Sequence, residues 1–198
     1  GDQTKYQLVY PRLFAEAGRF VPTPWSFWGY MQYLVNMLFT AAFVLSGDVL
    51  ARLINVTFGL LATGGVYALG RRAYGREVGA WAALLFFCMP FTATLMIRAW
   101  VEFALTLYVV LAMLGVLAWR TTGGRSWLVL AAVMGGFAGG TKLMGVLAPT
   151  LLAAAAGTRD LLHGHPLSEL GDYFMLIGVF GVVFTAGGLG LFESLIDG

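Results

Sequence analysis

Apolar residues run along this chain in long blocks, and most of the charges fall in the short gaps between them. Leu53 to Leu69 is followed by Arg71, Arg72 and Arg76. Val78 to Ile97 meets Arg98, and Phe103 to Trp119 meets Arg120 and Arg125. Trp127 to Gly140 and Leu143 to Ala156 are shorter and flank Thr141-Lys142, and Tyr173 to Leu191 closes the series. A helix needs about 20 mostly apolar residues to cross about 30 Å of hydrocarbon, so the pattern predicts about six membrane helices over 47–198. The fold class expected is an all-α, polytopic bundle of transmembrane helices.

Lys142 is the only charge between Ser126 and Thr158. A lone ammonium at membrane depth costs roughly 2.5–3.5 kcal/mol on insertion scales unless something compensates it. If the chain turns at Lys142, the charged gaps alternate between two sides. One side collects Arg71, Arg72, Arg76, Arg120, Arg125 and Arg159; the other receives Arg98, Glu102 and Lys142. The excess of arginine assigns the first side to the cytoplasm. A continuous helix through Lys142 would weaken that asymmetry, so a short hairpin with Lys142 at its tip is expected. Gly135-xxx-Gly139 and Gly136-xxx-Gly140, just before it, are small-residue faces that let helix backbones approach.

Residues 1–46 follow another rule. Asp2, Lys5, Arg12, Glu16 and Arg19 alternate with Tyr6, Leu8, Val9, Leu13 and Phe14, and Pro22-Thr23-Pro24 follows. This is an amphipathic segment of the interfacial kind, ended by a turn. Trp25 to Leu45 is apolar enough to span but carries Ser26, Gln32, Asn36 and several aromatics. A juxtamembrane or shallowly inserted helix is favoured there over a full crossing, which leaves Asp2 on the side of Glu102 and Lys142. The region reads as an external loop with juxtamembrane helices.

Composition agrees with a membrane protein: 59% hydrophobic and 11% charged, with fifteen Phe, six Trp and eight Tyr to populate interfacial belts. Cys88 is the single cysteine, so no intramolecular disulfide is available, and its position in an apolar run marks a small buried residue. The chain opens Gly1-Asp2-Gln3 without a signal-peptide pattern and stops at Gly198 just after an apolar run. It reads as an internal piece of a longer membrane protein, with at least one span upstream and more downstream.

Asp2, the Arg98/Glu102 pair and Lys142 thus share one face. A carboxylate there can serve as general base toward a hydroxyl or amine. A nearby lysine and arginine can stabilise charge on a departing phosphate. That is the chemistry of glycosyl transfer from a lipid-phosphate sugar, whose leaving group needs no general acid.

The same residues carry a family resemblance. Asp2, Tyr6, Leu8, Pro11, Arg12 and Leu13 are followed by Glu16-Ala17-Gly18, then Gly47-Asp48 through Arg52-Leu53, then Val66 to Arg72. Ala99-Trp100-Val101-Glu102 and Gly139-Gly140-Thr141-Lys142 complete the order. Together they resemble the amino-terminal half of GT-C fold glycosyltransferases, the group holding protein O-mannosyltransferases and aminoarabinose lipid A transferases. The bacterial polyprenyl-phosphate-dependent members look most similar, over nearly residues 1–156, fading after Leu161.

The resemblance implies a role for each matched position. Asp2 matches the aspartate of the first external loop that acts as catalytic base. Glu102 matches an acidic residue of the site, usually Asp. Lys142 matches the lysine of a Thr-Lys motif that contacts the carrier phosphate, and Arg52 an arginine heading a span on the external side. Tyr6 and Arg98 join them as candidate substrate or phosphate contacts. The implied donor substrate is a polyprenyl-phosphate sugar and the implied partners are that donor and membrane lipid, with no nucleic acid; the resemblance names no cofactor and leaves oligomeric state and metal dependence open. The implied setting is a bacterial inner membrane with the site facing outward. Gln3 and Gln7 depart from the family, where a second acid and a histidine are common; an amide can hydrogen-bond but cannot take a proton at pH 7.

Each position has a plainer reading. Asp2 would be an exposed charge, Glu102 an ion pair with Arg98 on one helical face, and Lys142 an anchor that snorkels to the interface. Arg71-Arg72 reads as a cytoplasmic anchor, and His163-x-His165 as a plain loop rather than a metal site, since two histidines lack a third ligand. No phosphate-binding glycine loop, nucleophile elbow or nucleic-acid stripe is present. The competing function class is a non-catalytic lipid-binding or transporter-like membrane protein, which Gln3 and Gln7 favour and the scarcity of polar residues in the spans opposes.

Overall fold

A computed structural model of the protein describes residues 8–19, 21, 34–142, 145 and 147. Among them are six helices and no strand: α1 Val9–Ala17, α2 Leu34–Tyr74, α3 Arg76–Cys88, α4 Pro90–Met96, α5 Glu102–Thr122 and α6 Arg125–Thr141. By length and composition α2 and α5 can each cross a membrane, and α3 with α4 makes a third span if the bent pair counts as one. The all-α bundle is therefore what the apolar blocks form. The blocks Leu143–Ala156 and Tyr173–Leu191 lie outside the described residues.

The short helix α1 is amphipathic in the expected sense. Tyr10, Pro11 and Phe14 are buried, while Arg12 and Glu16 pair on the exposed face at 2.7 Å. Gly18, at φ 64°, ends it in the left-handed conformation that glycine adopts without steric cost.

The structure departs from the sequence reading in α2. Trp25–Leu45 and Leu53–Leu69 were expected as separate helices, but residues 34–45 continue into 48–74 across a kink. Gly47 takes φ 70°, ψ −156°, a region essentially closed to other residues. Beyond it Ala51, Asn55, Gly59, Ala62 and Gly65 form a buried face of small residues, and Leu53, Leu60 and Leu61 point outward. Val35, Phe39 and Ala42 of the first limb pack with Ala51, Ala99, Val101 and Ala104, and Leu8 covers them.

A second departure lies in Val78–Ile97, which is bent by 63° at the junction of α3 and α4. Pro90 lacks an N–H, so the carbonyl of Phe86 loses its usual partner. Thr92 Oγ1 donates to that carbonyl at 2.7 Å and so replaces the missing bond. The bend is a designed break, with its freed acceptor satisfied where no water is at hand.

Helix α5 is the centre of the bundle. Phe103, Leu107, Val110, Val116 and Trp119 are all buried on it. Tyr108 contacts Phe58 of α2 and Phe137 of α6 edge-on, at centroid distances of 6.0 and 5.5 Å. Gly115 lets α6 come close: an added Cβ there would lie 2.9 Å from Ala131 Cβ and 3.0 Å from the Trp127 carbonyl. Gly135, Gly136, Gly139 and Gly140 are all buried, as their spacing predicts.

The bundle has two distinct ends. The α2–α3 turn at Gly75 and the α5–α6 turn at Gly123-Gly124 share one, tied by Arg72 Nη2 donating to Thr121 Oγ1 at 2.5 Å. That end carries Arg71, Arg72, Arg76, Arg120 and Arg125. The α4–α5 junction and the end of α6 share the other. The alternation of charged gaps is thus a feature of the folded chain.

Two outcomes test this packing. An added Cβ at Gly79 would meet Arg71 N at 2.6 Å and Tyr67 O at 2.7 Å, whereas Gly64 has nothing within 4 Å. Gly79→Ala should destabilise by about 1–3 kcal/mol and Gly64→Ala should be neutral or mildly stabilising, read from thermal unfolding in detergent. Thr92→Val should cost about 1–2 kcal/mol by orphaning the Phe86 carbonyl. In a Pro90→Ala background, where an amide N–H returns, the same change should cost much less.

Candidate active site

Glu102 opens α5 and Lys142 caps the end of α6, so the antiparallel hairpin brings together residues forty positions apart. Lys142 Nζ lies 3.3 Å from Glu102 Oε1, and the side chains are 42% and 27% exposed. Each charge suits its helix end, the carboxylate at an N-terminus and the ammonium at a C-terminus. A pair this open contributes at most about 1 kcal/mol to stability, so its value lies in placing two opposite charges side by side. The second carboxylate oxygen, Glu102 Oε2, is buried without a hydrogen-bond partner.

Lys142 leaves the helix in an extended conformation, φ −158° and ψ 141°, while its N–H still bonds Ala138 O at 3.1 Å. Gly145 N then donates to Lys142 O at 2.7 Å, turning the chain back. At Gly145 even one added carbon would run into the Ala138 carbonyl, so this close return requires glycine. The helix does stop at Lys142, as the hairpin reading requires; its returning limb lies outside the described residues.

Arg98 is not paired with Glu102 on one helical face, contrary to the plainer sequence reading. It sits in the break between α4 and α5, its N–H bonded to Leu95 O at 3.2 Å. The break separates the two residues because the chain must change direction before α5 begins, and Glu102 pairs with Lys142 instead.

Asn55 holds that break. Its side chain is fully buried, and Nδ2 donates to Leu95 O at 2.9 Å, to Met96 O at 3.5 Å and to Arg98 O. Leu95 O and Arg98 O also accept from the backbone, from Arg98 N at 3.2 Å and Trp100 N at 3.0 Å, so the amide adds to the bonds that shape the break. Asn55 Oδ1 and the indole N–H of Trp100 are buried and unpartnered. The sequence reading passed over Asn55, although an amide inside an apolar run, facing a bundle interior, is itself a signal.

Arg52 lies one turn before Asn55 and pairs with Asp48 at 2.8 Å, with both side chains about half exposed. That pair, spaced four residues apart on α2, was legible in the sequence but not singled out. It borders an open cleft of about 760 Å³ between α1 and the α2 kink, lined by Leu8, Val9, Phe43 and Val44 and by the Arg12–Glu16 pair. The hydrogen bond to Glu16, and then its charge, raise the Arg12 guanidinium above its usual pKa; Asp48 adds to this across the cleft.

Asp2 and Tyr6 lie outside the described residues, as do His163 and His165. Cys88, expected to be buried, is exposed at the end of α3. Among the described residues no group of three or more His, Cys, Asp or Glu side chains could hold a metal ion.

The arrangement sets a half-exposed ammonium beside a carboxylate and a pinned backbone break, at one end of an apolar bundle. A family model for dolichyl-phosphate-mannose-protein mannosyltransferases matches residues 27–184, most of the chain and all of this end from α2 onward. No curated protein and no solved structure matches. The chain belongs to the dolichyl-phosphate-mannose-protein mannosyltransferase family, integral-membrane glycosyltransferases of GT-C type that take their sugar from a polyprenyl-phosphate carrier.

Proposed function

We propose that this chain carries the catalytic end of a transferase that moves a sugar from a polyprenyl phosphate to an acceptor on the non-cytoplasmic face. The membrane is taken to be a bacterial inner membrane. The observation that carries the reading is the 3.3 Å approach of Lys142 to Glu102, opposite the arginine-rich end. Lys142 meets the carrier phosphate and offsets the charge that grows there as the glycosidic C1–O bond breaks. Arg98, in the neighbouring break, and Arg52, at the cleft, are placed to add positive charge as the headgroup enters.

Asp2 is the general base. It takes the acceptor proton as the acceptor oxygen or nitrogen bonds to C1, and polyprenyl phosphate leaves with the electron pair. Leu8 packs against the cluster that includes Val101 and Ala104, the neighbours of Glu102. About six residues of chain from Leu8 reach at most about 20 Å, enough for Asp2 to join that end. Glu102 is the second acid of the site, holding the Lys142 ammonium at that end through Oε1, and Tyr6 lines the same approach.

Two variants of the full-length protein test the roles. Asp2→Asn should lower kcat by about 100-fold to 10,000-fold while leaving donor binding intact, measured as release of polyprenyl phosphate. Undiminished turnover would remove Asp2 as the base. Lys142→Met should weaken use of the donor by about 10-fold to 100-fold, seen mainly in KM for the polyprenyl-phosphate sugar. If KM for the donor does not move, the lysine is an interfacial anchor. Purified wild type that binds the donor but never releases polyprenyl phosphate would favour the lipid-binding reading.

A further inference from the structure

The α4–α5 junction is the one place in the described bundle where the chain reverses beside the Glu102–Lys142 pair without a tight glycine turn. Its geometry is carried by side-chain bonds from α2. Asn55 spends its amide on the carbonyls of Leu95, Met96 and Arg98, residues forty to forty-three positions away. Those bonds fix where α4 stops, and Glu102 follows four residues after the last of them.

Stability alone does not explain an asparagine here. Its Oδ1 is buried and unpartnered, a desolvation cost of the same order as one of the bonds its amide makes. What the carboxamide does supply is direction: its two N–H hydrogens, shared among the three carbonyls, tie the end of α4 to one point of α2.

We infer that Asn55 is a positioning residue: by capping α4 from α2 it sets the start of α5, and thereby the approach of Glu102 to Lys142. Its hydrogen bonds go to neither member of the pair. The inference concerns geometry; only its consequence for turnover rests on the proposed function.

The test uses the full-length protein in membranes, with Cys88→Ser removing the only cysteine of this chain. One reporter carries Glu102→Cys and Lys142→Cys; a second, at the opposite end, carries Arg72→Cys and Thr121→Cys. Each is treated with a short bifunctional methanethiosulfonate, with Asn55, Asn55→Val or Asn55→Gln in the same chain. Losing the capping bonds should shift the local equilibrium by about tenfold or more. Cross-linking between positions 102 and 142 should therefore fall steeply in Asn55→Val and recover largely in Asn55→Gln, which keeps the carboxamide. Cross-linking between positions 72 and 121 should not change.

An unchanged 102–142 yield in Asn55→Val overturns the inference. So does an equal loss at both ends, or failure of Asn55→Val to accumulate, because each marks a general packing role. In the protein with Glu102 and Lys142 intact, Asn55→Val should also lower kcat/KM by about tenfold. If the wild type shows no transfer at all, the proposed function fails while the cross-links still decide the role of Asn55.

Discussion

Away from water, a helix can stop or bend only where other groups accept its loose hydrogen bonds. Each backbone group left bare in hydrocarbon costs several kcal/mol. This chain breaks its Val78–Ile97 block at Pro90 and ends it again before Glu102, and a side chain donates to the backbone at each point. Thr92 donates to the carbonyl freed by the proline, and Asn55 adds its amide to the backbone bonds of the α4–α5 break. The rest of the bundle is arranged around the two breaks. They bring Arg98 and Glu102 to the end where α6 delivers Lys142, and they leave α5 upright in the centre.

Glycine permits the second half of the design. Gly115 brings α5 and α6 close together, and Gly70 and Gly79 do the same for α2 and α3. With apolar lipid on the outside there is little hydrophobic gain in bringing helices together, so close contact must supply the attraction. Close contact also fixes register, and register is what sets Lys142 beside Glu102 rather than a turn above or below it.

The helices were largely legible because burial in lipid writes itself as long apolar blocks. The two ends of the bundle were legible from where the arginines fall. The kink at Gly47 was not, since a glycine after a serine in an apolar run is equally compatible with a straight helix or a loop. Pro90 did announce its break, but a block of the right length masked it. At the site, Lys142 stood out as a single charge, whereas its partner could not be read. Glu102 had a nearer candidate in Arg98, and only the break between α4 and α5 separates those two. Asn55 was missed because an uncharged amide leaves little trace in a hydropathy pattern, even though the junction hangs on it.

The closeness of Glu102 and Lys142 bears on how the chain is threaded into its membrane. A single elementary charge moved through a potential of 100 mV gains or loses about 2.3 kcal/mol. Two opposite charges held 3.3 Å apart at the same depth carry no net charge. An electric field therefore has almost nothing to pull on at this end of the α5–α6 hairpin. Its opposite end, with Arg120 and Arg125 flanking the turn, presents charge of one sign only. The hairpin is electrically lopsided, and the membrane potential can tell its two ends apart.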